Sequence, residues 1–333
     1  MNLITHDALP PETAWVEPRL RAHEQEAPPS VRPEARPHAA AASAASAASA
    51  ASAPSAAPPA PPALSLAGAV VRLPGARRFG PFDLQVRAGE RIAIVGPSGA
   101  GKSTLLKLLA GEWPAREGRV TLDGRDLAAW PNGALARRRA VLPQAHGVAF
   151  GMPVELLVSL GRIAHEMAHR PDPQQPHIVA AALGAARAAH LVGRRFDTLS
   201  GGERARVMLA RVFAQLWDAA PGWLLVDEPL AALDPGLQFE LTDALVEFCA
   251  ERGHALVAIV HDLNLAFAAF ERLWLVRGGQ VVADLVAAAA AVPALESLFG
   301  IRLACIDEGA GRVAVLPRRA AVVRPDELAE AAA

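Results

Sequence analysis

One nine-residue stretch restricts this chain more than any other: GPSGAGKST, Gly96–Thr104, set between the apolar run RIAIV (Arg91–Val95) and the helical STLLKLLAG. It fits G-x-x-x-x-G-K-[ST], with Gly96, Gly101, Lys102 and Ser103 in the defining positions. Glycines let a backbone wrap closely around phosphate with its N–H groups turned inward, and the start of the following helix adds its positive dipole end. Gly96, Pro97, Ser98, Gly99, Ala100, Gly101, Lys102, Ser103 and Thr104 therefore form an expected phosphate cradle. Lys102 can reach β- and γ-phosphates, and the Ser103 hydroxyl can ligate Mg²⁺. The stretch predicts a nucleoside triphosphate site.

The rest of the chain repeats the strand-then-helix pattern. FDLQV (Phe82–Val86) alternates like a half-exposed strand. RIAIV, WLLVDEP (Trp223–Pro229), HALVAIV (His254–Val260) and RLWLVRGG (Arg272–Gly279) are nearly unbroken apolar runs, as expected of strands buried on both faces of a parallel sheet. Helices are expected at Lys102–Gly111 and Gly236–Arg252, and the alternation predicts an α/β fold. Between about Gln144 and Leu216 the strand signal vanishes, which predicts an inserted helical subdomain over about 144–216. Residues 1–62 stand apart. AAAASAASAASAASAPSAAPPAPP (Ala39–Pro62) has nothing to bury and predicts a disordered tail, leaving a folded domain over 63–317 and a short tail over 318–333.

Composition removes several classes of function. With 333 residues and 52% hydrophobic content the chain can build a real core, and its net charge of −1 offers no field to attract nucleic acid. Two cysteines, Cys249 and Cys305, exclude a disulfide framework and a Cys-rich zinc site and fit a reducing compartment. MNLITHDALPPETAWVEPRL carries acids and prolines where a signal peptide needs basic and then apolar residues. No window approaches the roughly 18–20 apolar residues of a membrane span, so any membrane role is expected to come through a partner.

Two further stretches carry chemistry. WLLVDEP ends its apolar run on Asp227 and Glu228, at the sheet edge where α/β proteins bind ligands. Neighbours on an extended chain point opposite ways, so Asp227 is assigned to the metal and Glu228 to the attacking water as general base. In LSGGERARVMLARVFAQLW (Leu199–Trp217), Ser200 and Glu203 form a capping box, and Ala205, Met208, Leu209, Val212 and Leu216 make an apolar face. Capping does not explain Gly201 and Gly202. Glycines there leave N–H groups uncovered at a positive helix end, which is a second anion site.

LSGGE resembles the signature motif of the ATP-binding cassette (ABC) ATPases, and the resemblance runs over roughly Leu64–Pro317. Gln144 in VLPQ resembles that family's Q-loop glutamine, Ala231–Asp234 its D-loop and His261 in IVHDLN its switch histidine. The resemblance implies a P-loop NTPase fold: a RecA-like parallel sheet core, an antiparallel β edge and an inserted α-helical subdomain. It implies ATP and Mg²⁺ as cofactors, with Gln144 near the γ-phosphate and among the metal ligands, and with Gln144 and His261 joining Glu228 as catalytic residues. Paired head to tail, two cassettes close ATP between one cradle and the other copy's Ser200, Gly201 and Gly202. A single cassette without spans resembles the energy subunit of a transporter. The implied assembly is a homodimer of cassettes on integral-membrane permease subunits, at the cytoplasmic face of the inner membrane, served indirectly by a periplasmic substrate-binding protein. HDLNLAFAAFERLWLVRGGQVVA resembles the importer branch for ferric siderophore, cobalamin and haem, and LARVFAQLW resembles the haemin-import subunits within it. Ferric siderophore or cobalamin is the alternative cargo, and a non-transport ABC ATPase is a more distant alternative.

One departure concerns the base. The family stacks adenine on an aromatic residue, often tyrosine, and this chain has no tyrosine. In VVRLPGARRF (Val70–Phe79), Phe79 or Arg72 is expected to take that place, or the base is held loosely. His165 and His169 are four apart and offer a metal pair, against the plainer reading of a solvated segment. A permease is expected to dock around Gln144–Gly161, where Val148, Phe150 and Met152 either form its pocket or pack within the subdomain.

Overall fold

The structure, a computed structural model, describes residues 62–73, 77–144, 151–166, 173–228, 233–309 and 312–318. All but Pro62 of the expected N-terminal tail and all but Arg318 of the expected C-terminal one lie outside the described residues, as do His169, Val148, Phe150 and Ala231. The strands are β1 (Ala63–Arg72), β2 (Arg78–Arg87), β3 (Arg91–Val95), β4 (Glu117–Leu122), β5 (Arg125–Asp126), β6 (Arg139–Leu142), β7 (Trp223–Asp227), β8 (Ala255–Ile259), β9 (Arg272–Arg277), β10 (Gln280–Val286), β11 (Arg302–Gly309) and β12 (Arg312–Arg318). The helices are α1 (Lys102–Leu109), α2 (Asn132–Ala136), α3 (Val154–Ser159), α4 (Ile163–Glu166), α5 (Gln175–Ala185), α6 (Gly201–Leu216), α7 (Pro235–Arg252), α8 (Leu263–Ala269) and α9 (Val292–Phe299).

The central sheet runs β10-β9-β3-β8-β7-β6; its five strands from β9 to β6 are parallel, and β10 joins antiparallel at the edge. A second, antiparallel sheet, β2-β1-β4-β5, covers one face together with α1. The parallel core with an antiparallel edge is the architecture the sequence leads one to expect. Both faces of the sheet are dry. Ile92 and Ile94 of β3 pack with Leu105 and Leu109 of α1 and with Phe82 of β2. Ala93 and Val95, on the opposite face, pack with Val212 and Phe213 of α6 and Leu245 of α7. Period-2 alternation thus sends apolar side chains both ways, which is why these strands read as unbroken apolar runs.

Between 144 and 216 the described elements are helices and 3₁₀ turns, with Pro153 and Arg195 forming an isolated bridge. Helix α6 is the axis of this region. Its expected apolar face is buried, and Val207, Ala210, Phe213 and Ala214 are buried too, because it is enclosed between α3 and α5 on one side and the central sheet on the other. The buried guanidinium of Arg162 donates to the Ala214 carbonyl at 3.0 Å and pairs with Asp218 at 2.5 Å, meeting the last turn of α6 with positive charge. Strands β11 and β12 form a hairpin of their own, tied to the body through buried Leu303 and Val315. Among the described residues no helix is long and apolar enough to cross a membrane.

His254 enters β8 fully buried, and its Nδ1 accepts from the Gly222 N–H at 3.0 Å. Burial pushes its pKa down from 6.5 to about 4. Below pH 6.5 the unfolded chain takes up this proton and the folded chain does not until about pH 4. Stability should therefore fall by about 3 kcal/mol as pH drops through that window, with no further loss from this group below it. Denaturant titrations from pH 7 to 4 should show the slope, and His254→Asn, which keeps an acceptor for Gly222, should flatten it.

Candidate active site

The cradle is built by β3, α1 and a clamp from β2. Gly101, the residue before α1, has φ 105°, and a Cβ there would lie 2.8 Å from the ring of Phe79. Phe79 is buried beneath the loop, and the chain is stitched behind it by Gly279 N–H to Ala100 O at 2.8 Å and Gly80 N–H to Gly279 O at 2.7 Å. Lys102 is buried as well. Its Nζ donates to Gly96 O at 2.9 Å and Pro97 O at 3.2 Å, and burial lowers its pKa against the opposing pull of Glu228 and Asp227. The Ser103 hydroxyl donates to Asp227 Oδ1 at 3.1 Å. Burial raises the Asp227 pKa, the Ser103 hydrogen bond opposing it. A hydroxyl and a half-buried carboxylate at this separation are hard oxygen donors of the kind Mg²⁺ takes alongside phosphate and water.

The acids diverge for a reason other than the one strand geometry suggests. Asp227 ends β7, but Glu228 has φ 46°, a left-handed conformation, so its side chain is turned aside by the backbone rather than by β alternation. Its Oε2 accepts from Gln144 Nε2 at 3.2 Å, and its Oε1 is in direct contact with His261 Nε2. Gln144 follows β6, Glu228 follows β7, His261 follows β8 and the cradle follows β3, so four neighbouring parallel strands each deliver one part to a common edge. Ser103, Lys102, Glu228 and His261 line one open cavity of about 320 Å³.

Ser200, Gly201 and Gly202 do not line that cavity. The capping box is present, with the Glu203 N–H donating to Ser200 Oγ at 3.3 Å and the Ser200 N–H to Glu203 Oε2 at 2.7 Å. The two glycines have different surroundings. A Cβ on Gly201 would meet nothing within 4 Å, whereas one on Gly202 would lie 2.4 Å from Leu237 Cδ2. Gly202 is therefore also a packing residue that lets α6 abut the start of α7, where Asp234 caps the Leu237 N–H at 3.0 Å. Arg206 and Glu240 join the same two helices by paired contacts of 2.6 and 2.7 Å.

The structure bears on three expectations about single residues. Arg72 is held by Glu117 at 2.7 Å and does not line the cavity, whereas Phe79, packed under the loop, borders it together with Leu73 and Arg77. Arg77, in the same GARRF stretch, lies with its guanidinium 5.6 Å from the Phe79 ring; only the pairing of Arg72 with distant Glu117 separates the arginines, and the local sequence carries no sign of it. His165 Nε2 bonds Gln215 O at 2.9 Å, and among the described residues no cluster of His, Cys, Asp and Glu is suited to a metal. Met152 packs against the core.

A family model described as ABC transporter matches residues 79–231. The chain is similar to the hemin import ATP-binding protein HmuV of Pseudomonas aeruginosa, 50% identical over 200 residues, which are 60% of this chain and 77% of that protein. The protein of the same name from Rhodopseudomonas palustris is 41% identical over 265 residues, 77% of this chain and 95% of its own. Among solved structures, an ATP-binding cassette of an ABC transporter in its ADP conformation gives a TM-score of 0.61 at 21% identity, over 72% of this chain and 97% of that one. A dimeric cassette in a post-hydrolysis state, bound to ADP and phosphate, gives 0.58 at 21% identity, over 67% and 98%. At those identities the likeness concerns the fold.

Gly101→Ala should reduce stability by about 1–2 kcal/mol through its left-handed backbone alone. Because φ 105° persists whatever surrounds it, Phe79→Ala should relieve only the Cβ contact with its ring and leave the backbone cost in place. Denaturant melts of the two single variants and the double variant measure both statements.

Proposed function

The chain belongs to the ABC transporter family, and on that premise we propose that it is the ATP-hydrolysing subunit of an importer that carries haemin. The observation supporting hydrolysis is the convergence on Glu228, whose two carboxylate oxygens are held by Gln144 and His261 at the mouth of the phosphate cradle. In this reading Lys102 gives up the Gly96 and Pro97 carbonyls for phosphate oxygens, exchanging neutral acceptors for charged ones. Ser103 and Asp227, with Gln144, would hold Mg²⁺, which would supply charge to offset that developing on the phosphates. Glu228 accepts the proton of the attacking water, with His261 and Gln144 fixing where its oxygens lie.

The signature end serves a second copy. Because Ser200, Gly201 and Gly202 stand away from their own cradle, the working unit is a homodimer in which each presents its helix start to the other's γ-phosphate. Leu156, Leu160 and Ile163 are exposed at 4- and 3-residue spacing on the turns that follow Gln144, and we assign this stripe to the integral-membrane permease. In this reading the subunit sits peripherally at the cytoplasmic face of the inner membrane. A periplasmic substrate-binding protein reaches it only through the permease. Haemin as cargo rests on the names of the curated relatives.

Glu228→Gln should keep ATP affinity within about twofold and lower kcat by roughly 10²–10⁴-fold, because the amide fills the same space but cannot take a proton. Calorimetric titration and steady-state turnover check the two halves; turnover within a few-fold of wild type would move the base elsewhere. For cargo, the chain reconstituted in liposomes with its permease should hydrolyse ATP faster when haemin-loaded binding protein is added, and not with ferric siderophore or cobalamin. Stimulation by either of those and none by haemin would overturn the cargo reading and leave the importer reading standing.

A further inference from the structure

We propose that the C-terminal hairpin β11–β12 braces His261, and that Asn264 is the positioning residue through which it does so. His261 lies two residues before α8, on a turn that grips itself on one side: Asp262 Oδ1 accepts from the Asn264 N–H at 2.8 Å and the Leu265 N–H at 3.4 Å. The other side is held from a distance of 51 residues. Asn264 Oδ1 accepts from the backbone N–H of Val315 in β12 at 2.7 Å. Val315 pairs with Cys305 across the hairpin and buries its own side chain in the core, so the donor is fixed in space. The hairpin has a second anchor on β11, where the Leu303 N–H donates to Glu296 Oε1 of α9 at 2.7 Å.

Packing anchors α8 itself through buried Leu265, Ala266 and Phe267, while His261 and Asp262 just before it are exposed. A cavity of about 300 Å³ opens between the turn and the hairpin, bordered by His261, Asp262, Asn264, Phe299, Ile301 and Val315. The His261 side chain is 45% exposed, and it meets Glu228 from that loosely packed position. A side chain without close neighbours keeps its place only as well as its backbone does. The Asn264–Val315 hydrogen bond adds a directional contact at the turn to the packing between α8 and β12. Removing the acceptor also leaves a half-buried backbone N–H unpaired, which favours movement of the turn toward solvent.

The inference rests on the assignment of His261 to hydrolysis, and the test separates the two. In the full-length chain, Asn264→Ala should lower kcat for ATP roughly three- to tenfold while the KM for ATP stays within about twofold, since the cradle is untouched. Asn264→Asp, which keeps an acceptor oxygen for Val315, should restore kcat to within about twofold of wild type. In a His261→Ala background, Asn264→Ala should cause no further loss, because it acts through the imidazole. A kcat unchanged by Asn264→Ala, or the same fold-loss in both backgrounds, would overturn the brace and leave His261 in place. Wild-type kcat in His261→Ala itself would overturn both.

Discussion

Backbone pairing between β6, β7, β8 and β3 sets the height of every reactive group along the sheet edge. Leu142 is level with Val226, so Gln144 and Glu228, each two residues further on, emerge side by side. Asp227 is level with Ile259, which brings Glu228 beside the residues leading into His261. Ile94 is also level with Ile259, so the cradle starts at Gly96 as His261 leaves the sheet. A shift of one residue in any of these ladders would exchange the two faces of that strand and expel its apolar side chains from one of the two cores. The hydrophobic pattern that holds the sheet in register is therefore also what holds the site together.

Within the single chain, the polar groups at this edge are engaged with one another. Lys102 is satisfied by two carbonyls of its own loop, Ser103 by Asp227, and Glu228 by Gln144 and His261. Such closure keeps half-buried charges and donors from being orphaned, which would cost about 1–3 kcal/mol for each neutral group and more for a charge. Nucleotide binding then replaces one set of partners by another.

Much of this was legible in the sequence because it is local or periodic. The cradle is one contiguous motif, and strands buried on both faces declare themselves as apolar runs such as RIAIV. What the sequence concealed depends on residues far apart. The antiparallel strands β1 and β4, and the edge strand β10, alternate with solvent or carry bulges and give weak signals. The choice of Arg77 over Arg72 at the cavity mouth turns on Glu117, 45 residues beyond Arg72. Gly202 read as an uncovered helix end because Leu237, which packs against it, lies 35 positions downstream. Glu228 was assigned its direction from strand alternation, and the backbone departs from the strand at that residue.

That departure has a thermodynamic side. A glutamate at φ 46° sits where side chains with a Cβ are disfavoured by about 1–2 kcal/mol, and glycine would occupy the position without that penalty. That backbone cost stands against what the contacts of its two oxygens with Gln144 and His261 return. The trade-off between durability and activity is written into one dihedral angle at the end of β7.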